Sequence, residues 1–212
     1  MKSTDVLSPK RLAVWNLVRH FVPRQPRWYY EGNPALRGQL WYAERKLLYH
    51  VIRKHRPAVC FEIGTWRGGG STLFIAQGLH DNGSGQLHTI ETNLEFFEES
   101  RANYERLLPH LLPHVIFHRG DYRAVYSGIL QEVGAVDFLF LDGAEDAQET
   151  LQQYQFFQPF LRPGSLLMAH DWFTTKCALL RNEIERSAHW DIVSVLVPPR
   201  SIGMMLAVRR NG

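Results

Sequence analysis

From residue 58 onward, short runs made up mostly of apolar residues alternate with longer segments of helical periodicity, a pattern that few folds accept. Ala58 to Ile63, Leu87 to Ile90, Val115 to Phe117, Val136 to Leu141 and Ser165 to Ala169 read as strands. Helical segments follow each of them, over Ser71 to Leu79, Leu94 to Leu108, Tyr122 to Gln131, Ala147 to Leu161 and Thr174 to Ala188. Strands apolar along their whole length must be covered on both faces, so five such units predict a parallel sheet between two helical layers. Asp191 to Val197 and Met204 to Arg209 are joined by six residues with no helix between them, so these two strands must pair antiparallel. The expectation is a seven-stranded α/β sheet, five or six strands parallel and the last antiparallel.

Two further helices precede the first strand. Ser8-Pro9 offers an N-cap and a first-turn proline, and Leu12, Trp15, Val18 and Val22 recur at helical spacing. Pro23 and Pro26 end that helix, and an aromatic-rich linker over residues 27–34 leads to a second helix, about Trp41 to Lys54. Charge separates the same two regions. Residues 1–40 carry seven Lys or Arg against Asp5 and Glu31, whereas residues 41–212 carry 17 bases and 19 acids, so the net charge of +3 belongs to the extension. We therefore divide the chain into a basic helical and aromatic extension, 1–40, and a mildly acidic domain, 41–212. The excess is too small for a nucleic-acid binder, which would show a basic face. No apolar run approaches the length of a membrane span, and the N-terminal residues lack the apolar core of a signal peptide. Cys60 and Cys177 form no motif, and a cytoplasmic location is expected.

In open parallel sheets ligands bind beyond the carboxyl ends of the strands. The first strand ends in Phe61-Glu62-Ile63-Gly64-Thr65-Trp66-Arg67-Gly68-Gly69-Gly70-Ser71-Thr72. A phosphate-binding P-loop would need lysine where Gly70 stands, and a dinucleotide fingerprint would need glycine where Trp66 stands. What remains is an acid, Glu62, followed by a turn in which backbone approaches a ligand that need carry no phosphate. A plain tight strand-to-helix turn is the competing reading of the glycines. Glu91, Asp121 and Asp142 then stand after the second, third and fourth strands. Each alone reads as a solvated loop acid; together with Glu62 they make an acidic strand-end row suited to a cationic or hydroxyl-rich ligand.

These residues resemble class I S-adenosylmethionine-dependent methyltransferases, and among them the small-molecule O-methyltransferases of the catechol and macrolide-sugar type. The resemblance covers about Gln39 to Arg209 and is carried by residues 61–72, by Leu139 to Gly143 and by Leu161 to Trp172. It implies a Rossmann-like doubly wound sheet. It further implies that Glu62, Gly64, Thr65, Gly68, Gly69, Gly70 and Ser71 border the methionine and ribose of S-adenosylmethionine. Glu91 would hold the ribose hydroxyls, Asp121 with Tyr122 would contact the adenine, and Asp142 would border both cofactor and acceptor. The sulfonium is a cation, which accounts for an acidic pocket.

Methyl transfer is an in-line displacement, so alignment and exclusion of water dominate. A hydroxyl acceptor must also lose its proton, to a general base or beside a divalent metal such as Mg or Mn. Metal-dependent relatives place one acid after strand four and an acid-acid or acid-amide pair after strand five. Here those places hold Asp142 and His170-Asp171, and Gly143 leads into Ala144-Glu145-Asp146 where relatives often carry a histidine. Asp142, His170 and Asp171 are the expected catalytic residues and the candidate metal ligands; alternatively His170 acts as general base without a metal. Packing of His170 at a strand end, and Asp171 as an N-cap, are the competing readings. His110, His114 and His118 imitate a metal face at four-residue spacing, but Pro109 and Pro113 break any helix there, so we read them as structural. Trp28, Tyr29, Tyr30, Trp41, Tyr42 and Trp172 are either a lid over the acceptor or ordinary packing.

The expected partner is a small-molecule methyl acceptor, with neither nucleic acid nor integral membrane contact. The extension is expected to serve as a lid or as a homodimer contact; a membrane-surface helix is the alternative. Two rival functions stay open, a nicotinamide-dependent enzyme on a similar fold and a non-catalytic cofactor-binding module.

Overall fold

The computed structural model describes Leu36, residues 38–197 and residues 201–211. The helix expected within the basic extension, the aromatic linker with Trp28, Tyr29 and Tyr30, and residues 198–200 lie outside the described residues, as does the side chain of Tyr42. The chain runs α1 (Tyr42–His55), β1 (Val59–Ile63), α2 (Ser71–Asn82), β2 (Gln86–Glu91), α3 (Leu94–Leu107), β3 (Val115–Arg119), α4 (Tyr122–Val133), β4 (Val136–Leu141), α5 (Ala147–Phe157), β5 (Leu161–His170), α6 (Ala178–Arg186), β6 (Trp190–Leu196) and β7 (Met204–Arg209).

The seven strands form one sheet in the order β3-β2-β1-β4-β5-β7-β6. Strands β1 to β5 pair in parallel, and β7 inserts between β5 and β6, antiparallel to both. Alternate residues of the apolar strands feed two separate cores. Phe138 and Phe140 pack under α1, α2 and the turn before β3, with Leu48, Ile52, Leu73 and Leu79. Leu139 and Leu141 pack the other way, with Tyr126, Leu130, Tyr154, Phe157 and Leu180. Both faces are buried, so continuous apolar runs, and not alternating ones, were required.

Three details differ from the sequence-based expectation. First, β5 begins at Leu161 and not at Ser165, because the Arg162-Pro163-Gly164 turn is spliced into the strand. Ser165 Oγ accepts from the Arg162 amide at 2.8 Å and donates to the Val136 carbonyl at 2.6 Å, holding the irregular register against β4. Second, Asp171 does not cap the following helix. It adopts φ +58 in a tight turn closed by Thr174, and the chain passes through a short 3-10 turn, Thr175–Cys177, before α6. Third, Trp172 is no lid: it is 1% exposed in the second core, its amide bonded to the Gly203 carbonyl.

The histidines read as structural sit apart. His110 and His114 stand edge-on to His80, and His118 stacks on His88 with ring nitrogens 3.1 Å apart. None of the helices among the described residues is long and apolar enough to cross a membrane.

Candidate active site

The strand-to-helix turn after β1 is shaped by close approaches on both sides. Gly64 has φ +103, and a Cβ there would lie 2.9 Å from the backbone of Gly143, so the ends of β1 and β4 meet where no side chain fits. On the other side Gly38 crosses directly over Gly69, where a Cβ would lie 2.4 Å from the carbonyl oxygen. The glycine run therefore accommodates the chain leading into α1 as well as any ligand.

Trp66 takes the left-handed conformation at φ +48, unfavourable for a side chain with a Cβ. Glu91 holds it there. One Glu91 oxygen accepts from the Trp66 amide at 2.8 Å and the other from the Asn93 amide at 2.9 Å, so the carboxylate is fixed with acceptor capacity left over. Beneath this turn lies Glu62, fully buried, its Oε2 accepting from Thr72 and Thr89 hydroxyls at 2.6 Å each and its Oε1 without a hydrogen-bond partner among the described residues. Burial raises its carboxyl to about 7, more than the hydrogen bonds from Ser71, Thr72 and Thr89 lower it. Thr65 joins the same chain through a 2.5 Å contact with Thr89.

A cleft of about 850 Å³ opens above these residues, at the carboxyl ends of the parallel strands. Of the expected cofactor residues, Gly64, Thr65, Gly70, Ser71, Glu91, Asp121, Tyr122 and Asp142 line it. Glu62, Gly68 and Gly69 do not: Glu62 lies under the floor and Gly68 packs on Tyr104, which donates to its carbonyl. Asp121 caps α4 through the Arg123 amide at 2.8 Å. Tyr122 buries a hydroxyl that has no hydrogen-bond partner among the described residues. Among the described residues, seven carboxylates face the cleft, from Glu91, Asp121, Asp142, Glu145, Asp146, Glu149 and Asp171, against the bases His170 and Lys176, so the field of these residues favours a cation.

Asp142, His170 and Asp171 converge at one end of the cleft, their ligand atoms within 4.8 Å of one another. His170 is almost fully buried. Its Nδ1 lies 3.3 Å from Asp142 and 3.6 Å from Asp171, and its Nε2 lies 3.2 Å from Glu44, off the direction of a hydrogen bond. Burial disfavours its charge, but the contacts with Asp142 and Glu44 outweigh that and push it up to about 10. In this arrangement those two carboxylates favour the protonated ring. Lys176 completes the group: its ammonium donates to Asp142 Oδ1 at 2.7 Å, to the Asp142 carbonyl at 3.1 Å and to Asp171 Oδ2 at 3.1 Å. Burial opposes the charge of Lys176 too, and the two carboxylates raise it. Burial would raise Asp142, but His170 and Lys176 hold it below the ordinary carboxylate range. The donor set does not fit a divalent ion in this arrangement, because an ammonium fills the gap between the two carboxylates.

Two members of this group escape a sequence reading. Glu44 comes from α1, where it accepts from the Trp41 amide at 2.7 Å and from Ser201, 157 residues away, at 2.5 Å. Its spacing from Trp41 marks the first turn of a helix, which gives no hint of a buried site. Lys176 follows Asp171 by five residues through a turn, and only the absence of any other base in that turn singles it out.

Residues 61–172, more than half of the chain, match the family described as a methyltransferase domain. No curated protein matches it in sequence. Solved structures share the fold. An O-methyltransferase from Bacillus cereus in complex with S-adenosylhomocysteine is 19% identical, with a TM-score of 0.65 over 98% of this chain and 94% of that one. The O-methyltransferase TomG from Streptomyces achromogenes, involved in tomaymycin synthesis and solved with S-adenosylmethionine, is 17% identical, with a TM-score of 0.66 over 98% and 92%. A methyltransferase from Geobacter sulfurreducens is 18% identical, with a TM-score of 0.63 over 98% and 92%. With its parallel strands, glycine turn and acidic strand-end cleft, the chain belongs to the methyltransferase-domain family.

Proposed function

We propose that this protein transfers the methyl group of S-adenosylmethionine to a hydroxyl of a small molecule. The observation that carries the reading is the acid-lined cleft in which Glu91 is locked by two backbone amides with acceptor capacity to spare. Such a carboxylate suits a ribose diol. The Tyr122 hydroxyl, without a hydrogen-bond partner among the described residues, suits the polar edge of an adenine, and the turn over Gly64, Thr65, Gly70 and Ser71 leaves room for the amino-acid end. When bound, the cofactor supplies an electrophilic methyl on a cationic sulfur. The chain's part is to hold that cation in a negative field and to align the acceptor oxygen with it.

His170, whose Nδ1 faces both Asp142 and Asp171, positions those carboxylates. Proton acceptance falls to the carboxylates of Asp142 and Asp171, which His170 and Lys176 fix in place. An oxygen becomes strongly acidic as its bond to the methyl forms, so a carboxylate within hydrogen-bond reach is base enough. We assign the basic extension, residues 1–40, to acceptor choice or contact with a second copy, and expect no affinity for nucleic acid.

Purified chain incubated with methyl-labelled S-adenosylmethionine and a polar-metabolite extract tests the reaction. Label should appear in small molecules as an ether that resists mild alkali. Label in an alkali-labile ester, in protein or in nucleic acid would overturn the assignment, and bound cofactor with no product at all would leave a binding module in place of an enzyme.

A further inference from the structure

We propose that Lys176, and not a divalent metal, is the resident cation of the acceptor site, its ammonium bridging Asp142 and Asp171. The inference rests on the methyl-transfer reading only for the use made of the site; the identity of the cation is a matter of this chain's own geometry. All three ammonium protons are committed, at 2.7 Å and 3.1 Å to Asp142 and at 3.1 Å to Asp171. A divalent ion shared by those carboxylates would need bonds of roughly 2.0–2.2 Å to the same oxygens and so would collide with the ammonium in both space and charge.

Lys176 is not a surface side chain that has wandered in. Only 14% of it is exposed, and it projects from the short turn Thr175–Cys177. That turn is pinned to the core by its next residue: Cys177 is fully buried and its thiol contacts the His170 carbonyl at 3.1 Å. The turn thus fixes the lysine relative to the end of β5, where Asp171 starts the bend at φ +58. Lys176 has no proton left for the acceptor, so it is a positioning residue: it aims and neutralises the two carboxylates that receive the acceptor's proton.

The test compares full-length wild type with Lys176→Ala by titrating each with Mn²⁺ and recording the electron paramagnetic resonance of the free ion. Wild type should leave stoichiometric Mn²⁺ free, whereas Lys176→Ala, with the gap opened, should bind one equivalent at least 10-fold more tightly. A bound ion on wild type that Asp142→Asn releases would overturn the proposal, and so would Lys176→Ala that gains no Mn²⁺. In the labelled-methyl assay on the polar-metabolite extract, chelation by EDTA should change wild-type transfer less than two-fold. Lys176→Met should lower transfer at least 50-fold with the affinity for S-adenosylmethionine held within three-fold, and Lys176→Arg should recover part of it. Undiminished transfer by Lys176→Met contradicts a positioning role. If wild type bound no S-adenosylmethionine, the methyl-transfer reading would fall, while the Mn²⁺ comparison would still decide the cation.

Discussion

The two ends of the cleft are built by different means. At the cofactor end, the turns after β1, β2 and β3 supply backbone amides and lone carboxylates, each held by one or two local hydrogen bonds: Glu91 by Trp66 and Asn93, Asp121 by Arg123. At the acceptor end, five charged side chains from α1, β4, β5 and the turn after it compensate one another in a nearly dry cluster. A site made of backbone and single acids can be altered one residue at a time. A site made of mutually compensating charges cannot, because removing one member leaves its partner buried and unpaired.

The largest difference should come from Asp142, which touches both His170 and Lys176. Asp142→Asn should lower kcat on the order of 10²–10³-fold and leave cofactor affinity within a few-fold, as measured by steady-state kinetics and calorimetry. Equal loss in both would show that the two ends are one site. Next in size is Glu44, buried and remote from the cofactor end. Glu44→Ala should destabilise the fold by about 3 kcal/mol in urea unfolding, since it strands the His170 charge. A loss below about 1 kcal/mol would show that His170 is neutral. Glu91→Ala should weaken S-adenosylmethionine binding by about 10- to 100-fold, the worth of hydrogen bonds to a charged acceptor, with kcat at saturation nearly unchanged.

The smallest effect is on pH dependence, and it also separates the two ends. Glu62 has its value raised by burial from 4.5 to about 7, so its contribution to stability is complete below 4.5 and lost as pH rises through 7. For His170, burial is overcome by Asp142 and Glu44, and the value rises from 6.5 to about 10; its contribution is complete below 6.5 and lost as pH rises through 10. Unfolding midpoints should therefore fall in two stages. Glu62→Gln should flatten the stage centred below neutrality, and His170→Gln the alkaline one. A single stage unaffected by either variant would contradict both assignments.

The same contrast explains what could be read from the sequence. The order of strands and helices, and the acids at the strand ends, follow from local runs: Val136 to Leu141 is apolar apart from Asp137 because both faces are covered, and Asp142 stands at its end, where ligands bind in such sheets. Local reasoning failed where tertiary contacts decide. Nothing near Glu44 reveals that Ser201 and His170 lie over it, and Lys176 meets Asp142 across 34 residues. Trp172, adjacent to two site residues, suggested a lid, yet Trp172 turns into the core. The glycines at 68–70 suggested ligand contact, yet only Gly70 of the three lines the cleft, and the close approach at Gly69 is one that Gly38 makes to its backbone.

Calorimetric titration of the full-length chain with S-adenosylmethionine, and separately with NAD, tests the account most directly. One equivalent of S-adenosylmethionine should bind, markedly more weakly to Glu91→Ala, with no heat from NAD. Binding of NAD in preference to S-adenosylmethionine would contradict it.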